Sequence, residues 1–101
     1  MATTPEGKVK DAIKRTLKAR GAYWHMPIQN GMGAPSLDFV GCHDGRYFAI
    51  EAKAPGKRPT ARQENTMRAI QKGGGAVFVI DSVENHDELI NWLERSPKLR
   101  P

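Results

Sequence analysis

The chain has 101 residues, a length that fits one domain and is too short for two. Sixteen lysines and arginines against eleven aspartates and glutamates give a net charge of +5, which favours a polyanionic partner. The only cysteine is Cys42, which excludes an intrachain disulfide and a CxxC metal site, and no apolar run approaches the length of a membrane span. We therefore predict a soluble, cytoplasmic protein with no membrane partner.

The first predicted helix begins near Pro5, and two starts fit the sequence. Thr3 as the cap would form a capping box with Glu6. Thr4 as the cap would instead place Pro5 at the first helical position. Apolar residues then recur at helical spacing until Gly21 ends the helix. These residues are Val9, Ala12, Ile13 and Leu17. Their spacing predicts that one face of the helix packs against the core.

Apolar runs separated by Gly- and Pro-rich turns predict four strands, at residues 22–26, 37–42, 47–53 and 76–80. The continuous apolar run of the last strand is typical of a strand covered on both faces. Residues 30–36 form a predicted loop. Thr60 caps a second predicted helix that runs to about Lys72, and a third spans about 86–95 before Pro97. The predicted order is α-β-β-β-α-β-α, a mixed sheet with a helical crossover between the third and fourth strands.

The Asp44–Gly45 dipeptide between two apolar runs predicts a two-residue hairpin turn. In such a hairpin the flanking residues pair, and the numbers of all paired residues sum to 89. Asp38 then lies directly opposite Glu51, in a non-hydrogen-bonded pair whose Cα atoms are about 4.5 Å apart. A longer loop would shift this register and turn Asp38 to the other face.

Two carboxylates opposite each other repel, unless solvent, a proton or a cation separates the charges. A hard divalent cation such as Mg²⁺ or Mn²⁺ takes oxygen ligands and would convert the repulsion into binding. Lys53 is two residues beyond Glu51, so strand alternation places both on the same face. An ammonium there can stabilise charge on a phosphate. A surface hairpin with a Glu-Lys salt bridge is the simpler alternative.

Basic side chains concentrate between residues 53 and 72, where Glu64 is the only acidic residue. Such a cluster can neutralise phosphates and make binding dependent on salt. A solvated helix face that aids solubility explains the cluster equally well by itself. The residues that we assign to DNA binding are Lys57, Arg58, Arg62, Arg68 and Lys72.

Three segments resemble the VRR-NUC domain of the PD-(D/E)XK nuclease superfamily, closest to the small standalone versions carried by viruses. They are residues 33–38, 51–53 and 62–63, which read GAPSLD, EAK and RQ. The resemblance runs from Glu6 to about Ile80 and includes the order of elements. Many family members have Asp directly after Pro, whereas two residues separate Pro35 from Asp38 here, and the hairpin count supports Asp38 independently.

The resemblance implies a restriction-endonuclease-like α/β fold, with a mixed central sheet flanked by helices. It also implies hydrolysis of DNA phosphodiesters that depends on one or two Mg²⁺ or Mn²⁺ ions. The metal ligands it implies are Glu6, Asp38, Glu51 and the backbone carbonyl of Ala52. The catalytic residues it implies are Asp38, Glu51, Lys53 and Gln63, with Lys53 as the catalytic lysine.

We therefore predict a single nuclease domain over residues 1–101, with an irregular tail from about residue 96. The predicted function is a metal-dependent DNA endonuclease that uses a metal-activated water. The small relatives imply a homodimer that acts on branched DNA such as four-way junctions or flaps, in the host cytoplasm if the protein is viral. One alternative is a non-catalytic nucleic-acid-binding module of the same fold. Another is a hydrolase of small phosphoesters, which would not need the basic helix.

Overall fold

The computed structural model describes residues 3–29 and 33–95. Within them the helices are α1 (Pro5–Ala19), α2 (Ala61–Lys72) and α3 (Asp87–Glu94), and the strands are β1 (Tyr23–His25), β2 (Phe39–His43), β3 (Arg46–Ala52) and β4 (Ala76–Ile80). The predicted α/β class and the order α-β-β-β-α-β-α are confirmed. Part of the predicted loop, residues 30–32, and the predicted tail from about 96 with its Pro97 stop lie outside the described residues.

Helix α1 adopts the second of its two possible starts. The Thr4 hydroxyl accepts a hydrogen bond from the Gly7 amide at 3.0 Å, and Pro5 occupies the first helical position. Glu6 therefore lies in the first turn, where a carboxylate interacts favourably with the helix dipole. The predicted apolar stripe is buried, which anchors α1 on the sheet and fixes the position of Glu6.

The strands form one mixed sheet in the order β1-β2-β3-β4. Both pairings among the first three strands are antiparallel, whereas β4 runs parallel to β3 after the α2 crossover. His43 pairs with Arg46, and every pair of this hairpin sums to 89 as predicted. Asp44 and Gly45 have φ angles of 53° and 77°, the positive values that a type I′ turn requires.

The hairpin ladder ends earlier than the sequence predicts, because β2 begins at Phe39 rather than at Leu37. The next hydrogen-bonded pair in this register would join Leu37 to Ala52. The Ala52 amide instead donates to the Asp38 carboxylate, at 3.0 Å. The Leu37 carbonyl accepts from the Gln29 side chain, at 3.4 Å. The Asp38 carboxylate therefore takes the place of the Leu37 carbonyl as the hydrogen-bond acceptor for the Ala52 amide, next to Glu51.

Two hydrophobic clusters lie on opposite faces of the sheet, because side chains alternate along each strand. The larger cluster joins the sheet to α1 and α3, and its fully buried members include Val9, Ile13, Leu17, Phe39, Phe48, Ile50 and Leu89. The smaller cluster joins the sheet to α2 and consists of Leu37, Val40, Ala49 and Met67. Asp38, Glu51 and Lys53 belong to this second face by alternation.

The expectation that β4 is covered on both faces holds only in part, because its residues pack against both hydrophobic clusters but most of them stay partly exposed. Val79, which pairs with Glu51, is 41 % exposed, and only Ile80 is fully buried. The apolar run reflects packing against α2 on one side and Trp92 on the other, and neither covers the whole strand. Across the two described segments, no helix is long and apolar enough to cross a membrane.

Candidate active site

Two carboxylates meet at the end of the β2–β3 hairpin. The observed pairing of Phe39 with Ile50 carries Asp38 to a position beside Glu51, as the hairpin count predicts. Asp38 is anchored by its hydrogen bond from the Ala52 amide. A strand residue directs its N–H and C=O groups towards the same neighbouring strand, so the Ala52 carbonyl also faces Asp38. The site thus presents three oxygen-bearing groups, two from the end of β3 and one from the residue that precedes β2.

Glu51 is the buried member of the pair, with only 3 % of its surface exposed. Burial, followed by the negative charge of Asp38, raises the pKa of its carboxyl from the ordinary 4.5 to about 7, against the opposing effect of Lys53. Its Oε2 accepts a hydrogen bond from Gln63 Nε2 at 2.8 Å. The fold therefore holds this carboxylate in a place where its charge is costly.

Lys53 contributes a positive charge to the same face. Its Nζ lies 3.6 Å from Glu51 Oε2, and its side chain is largely covered. The Lys53 amide donates to the Ile80 carbonyl at 2.9 Å, which continues the β3–β4 pairing beyond the end of β3. The backbone of Lys53 is therefore fixed by the parallel strand. This is a more constrained pair than the surface salt bridge that the tripeptide Glu51-Ala52-Lys53 alone would suggest.

Helix α1 adds two charges that approach the carboxylates from the other side. Lys10 Nζ lies 3.2 Å from Glu6 Oε2 and 3.9 Å from Asp38 Oδ1. The lysine thereby links the predicted metal ligand Glu6 to the pair on the hairpin. No pattern in the sequence assigns Lys10 to the site, because its only local feature is the (i, i+4) spacing from Glu6.

Gln63 joins helix α2 to the site through both ends of its amide. Its side-chain Oε1 accepts a hydrogen bond from the backbone N–H of Thr60 at 2.9 Å. The Thr60 hydroxyl in turn accepts from the backbone N–H of Gln63 at 3.2 Å, which completes a capping box. Its Nε2 is then aimed at Glu51. The cap that starts α2 thus also orients the buried carboxylate, as expected for a residue that faces the site.

The residues assigned to DNA binding lie on α2 and on the turn before it. Lys57, Arg58, Arg62, Arg68 and Lys72 are all exposed. The Arg68 guanidinium donates to the Asn65 side chain one turn earlier. Since α2 packs on the face that carries the carboxylates, its basic residues Arg62, Arg68 and Lys72 belong to that side of the sheet.

The donor set suits a hard divalent cation. Within residues 3–29 and 33–95, no group of three or more His, Cys, Asp or Glu side chains is placed to hold a metal ion. Mg²⁺ does not require such a group, because it keeps several waters and is usually bound by one or two carboxylates together with substrate phosphates. Metal binding by Asp38, Glu51, the Ala52 carbonyl and Glu6 stays a prediction.

The dual role of Gln63 gives a testable difference between two substitutions. Thr60→Ala removes only the cap and is expected to lower the free energy of unfolding by about 1 kcal/mol. Gln63→Ala also releases Glu51, and loss of such a supporting contact typically weakens metal binding by about 10- to 100-fold. Urea unfolding and calorimetric titration with Mg²⁺ measure the two effects. Equal Mg²⁺ affinities for the two variants would contradict the orienting role of Gln63.

Two side chains are exposed where their sequence predicts burial. Cys42, which has no partner cysteine and reads as a small buried side chain, is exposed. Two large aromatics on one strand, Tyr23 and Trp24, are more often core than a stacking surface for a base. Trp24 does pack on Phe39, with ring centroids 5.6 Å apart, but Tyr23 is exposed over 66 % of its surface because β1 is covered on one face only. No protein-family model and no curated protein matches the chain.

Proposed function

We propose that the protein is a divalent-metal-dependent DNA endonuclease that hydrolyses phosphodiester bonds. The observation that carries the proposal is the buried Glu51 carboxylate beside Asp38, held by Gln63 and accompanied by Lys53. A strongly perturbed acid with a specific charged partner is typical of functional sites. The exposed basic side chains of α2 next to this group favour a polyanionic substrate over a small phosphoester.

Each residue has a distinct role in this proposal. Asp38, Glu51 and the Ala52 carbonyl would hold Mg²⁺ or Mn²⁺, with Glu6 as a further candidate. The bound metal would supply an activated water and stabilise the leaving oxygen. The Lys53 ammonium stabilises the negative charge that develops on the phosphate in the transition state. Gln63 keeps the Glu51 carboxylate in one orientation.

The basic residues near α2 bind the DNA backbone without reading the bases, because phosphate contacts carry no sequence information. The resemblance to the VRR-NUC domain extends the proposal to branched DNA and to a homodimer, in which each copy incises one strand. A cytoplasmic location, in the host if the protein is viral, belongs to the same proposal.

The experiment is incubation of the purified protein with labelled duplex, single-stranded, flap and four-way-junction DNA, in Mg²⁺, Mn²⁺ or EDTA. We expect incision of branched DNA with either metal and no incision in EDTA. Preference among the substrates then identifies the DNA structure that the site accepts. Strong binding without incision in either metal would identify a non-catalytic nucleic-acid-binding module instead.

A further inference from the structure

Strand β1 presents two exposed rings on one face of the sheet. Tyr23 is 66 % exposed and His25 is also exposed, and their ring centroids lie 6.3 Å apart. Trp24 between them points to the opposite face, where it packs on the larger hydrophobic cluster. Core packing of β1 is thus supplied by Trp24, which leaves the Tyr23 and His25 rings available to a ligand.

These two rings lie on the same face as the carboxylates. Tyr23 pairs with Cys42 and His25 pairs with Val40, and Val40 belongs to the cluster under α2. Asp38 comes two residues before Val40, just before the start of β2, and therefore lies on the same face. His25 therefore lies diagonally across from Asp38, one strand over. The step from His25 to Tyr23 along β1 spans about 6.6 Å, so the two rings lead away from the carboxylates along the sheet edge.

The surface between α2 and the loop before β2 carries the charge that a nucleic acid requires. A cavity of ≈ 300 Å³ separates residues 33–36 from the start of α2, and a second of ≈ 520 Å³ follows it along the helix. Arg62 lines both cavities. Arg68 and Lys72 extend the positive charge along α2, against only Glu64. The two rings and the carboxylates therefore lie on the face of the sheet on which α2 packs, and α2 carries a net positive charge.

We propose that Tyr23 and His25 form a stacking surface for unpaired nucleotides, and that the protein binds a single-stranded DNA segment next to the phosphate it cuts. Stacking on aromatic rings is tolerant of sequence, because every base has a π-face. A base inside a continuous duplex is already stacked and cannot lie flat on Tyr23. The surface thus selects DNA with unpaired nucleotides near the incision point. This inference rests on the proposed nuclease function for the position of the cut, but not for the binding of the strand.

Binding of fluorescein-labelled oligothymidylate and of a blunt duplex of equal length, measured by fluorescence anisotropy in EDTA, tests the stacking surface without incision. Loss of one stacked base is expected to make Tyr23→Ala bind the single strand about 5- to 150-fold more weakly. Its affinity for the duplex is expected to change by less than twofold. Tyr23→Phe keeps the ring and is expected to bind as the unaltered protein does. Val83→Ala, which shortens an exposed side chain between β4 and α3, is the control.

The outcomes separate this inference from the nuclease proposal. Selective loss of single-strand affinity in Tyr23→Ala, with full affinity in Tyr23→Phe, supports the stacking surface even if no metal restores incision. Equal single-strand affinities of Tyr23→Ala and Val83→Ala would overturn the surface, even if the protein cuts DNA. An equal loss on single strand and duplex would also overturn it, since backbone contacts alone would then explain the effect. Circular dichroism and urea unfolding verify that each variant is folded.

Discussion

Glu51→Gln is expected to abolish DNA incision while the fold and the affinity for DNA stay intact. The amide has the shape of the carboxyl and can still accept the hydrogen bond from Gln63, but it carries no charge to hold a divalent cation. Lys53→Met keeps the length of the side chain and removes the ammonium. Loss of one preorganised electrostatic group typically lowers the rate by about 10²- to 10³-fold, and we expect at least this for each variant.

Single-turnover incision at saturating Mg²⁺, together with DNA binding in EDTA, measures the effect. Glu64→Gln is the matched control, because it removes an exposed carboxylate from the same α2 region without touching the site. We expect this control to cut at the unaltered rate. If Glu51→Gln or Lys53→Met cuts DNA at a rate close to that of Glu64→Gln, the substituted side chain does not take part in incision.

The metal-free protein is expected to become less stable as the pH rises from 4.5 towards 7. Burial raises the pKa of Glu51 to about 7 in the folded state, so over this range the folded protein holds a proton that the unfolded chain has released. Ionisation of Glu51 then opposes folding, and the full penalty, roughly 3 kcal/mol, is present above the folded pKa. A divalent cation bound by the ionised carboxylate offsets this penalty.

Urea unfolding between pH 5 and pH 8 in EDTA, and again in Mg²⁺, tests this linkage. Other carboxylates also titrate, so the informative quantity is the difference between the unaltered protein and Glu51→Gln. We expect Glu51→Gln to be the more stable of the two at pH 8 in EDTA, and to gain little from Mg²⁺. The unaltered protein is expected to gain about 2.7 kcal/mol at a hundredfold excess of Mg²⁺ over its dissociation constant. If the free energy of unfolding depends on pH in the same way for both proteins, ionisation of Glu51 does not destabilise the fold.

The sequence by itself determined the order of the elements and the register of the central hairpin. Helical spacing in α1 and the Thr60 cap of α2 are local patterns, and they appear where they were predicted. The Asp44–Gly45 turn specified which residues of β2 and β3 pair, because a two-residue loop leaves one register. Asp38 therefore reaches Glu51, and strand alternation brings Lys53 to the same face, all within 16 residues of chain.

Only the tertiary structure decided what surrounds that pair. The covering of Glu51, its contact with Gln63, and the approach of Lys10 to Asp38 depend on how α1 and α2 pack on the sheet. The exposure of Tyr23 likewise depends on the position of β1 at the sheet edge. Local periodicity encodes which face of an element is apolar, but not which element covers it. The carboxylates were therefore predictable from the chain, whereas the raised pKa of Glu51 and the exposed rings of β1 follow from packing between distant segments.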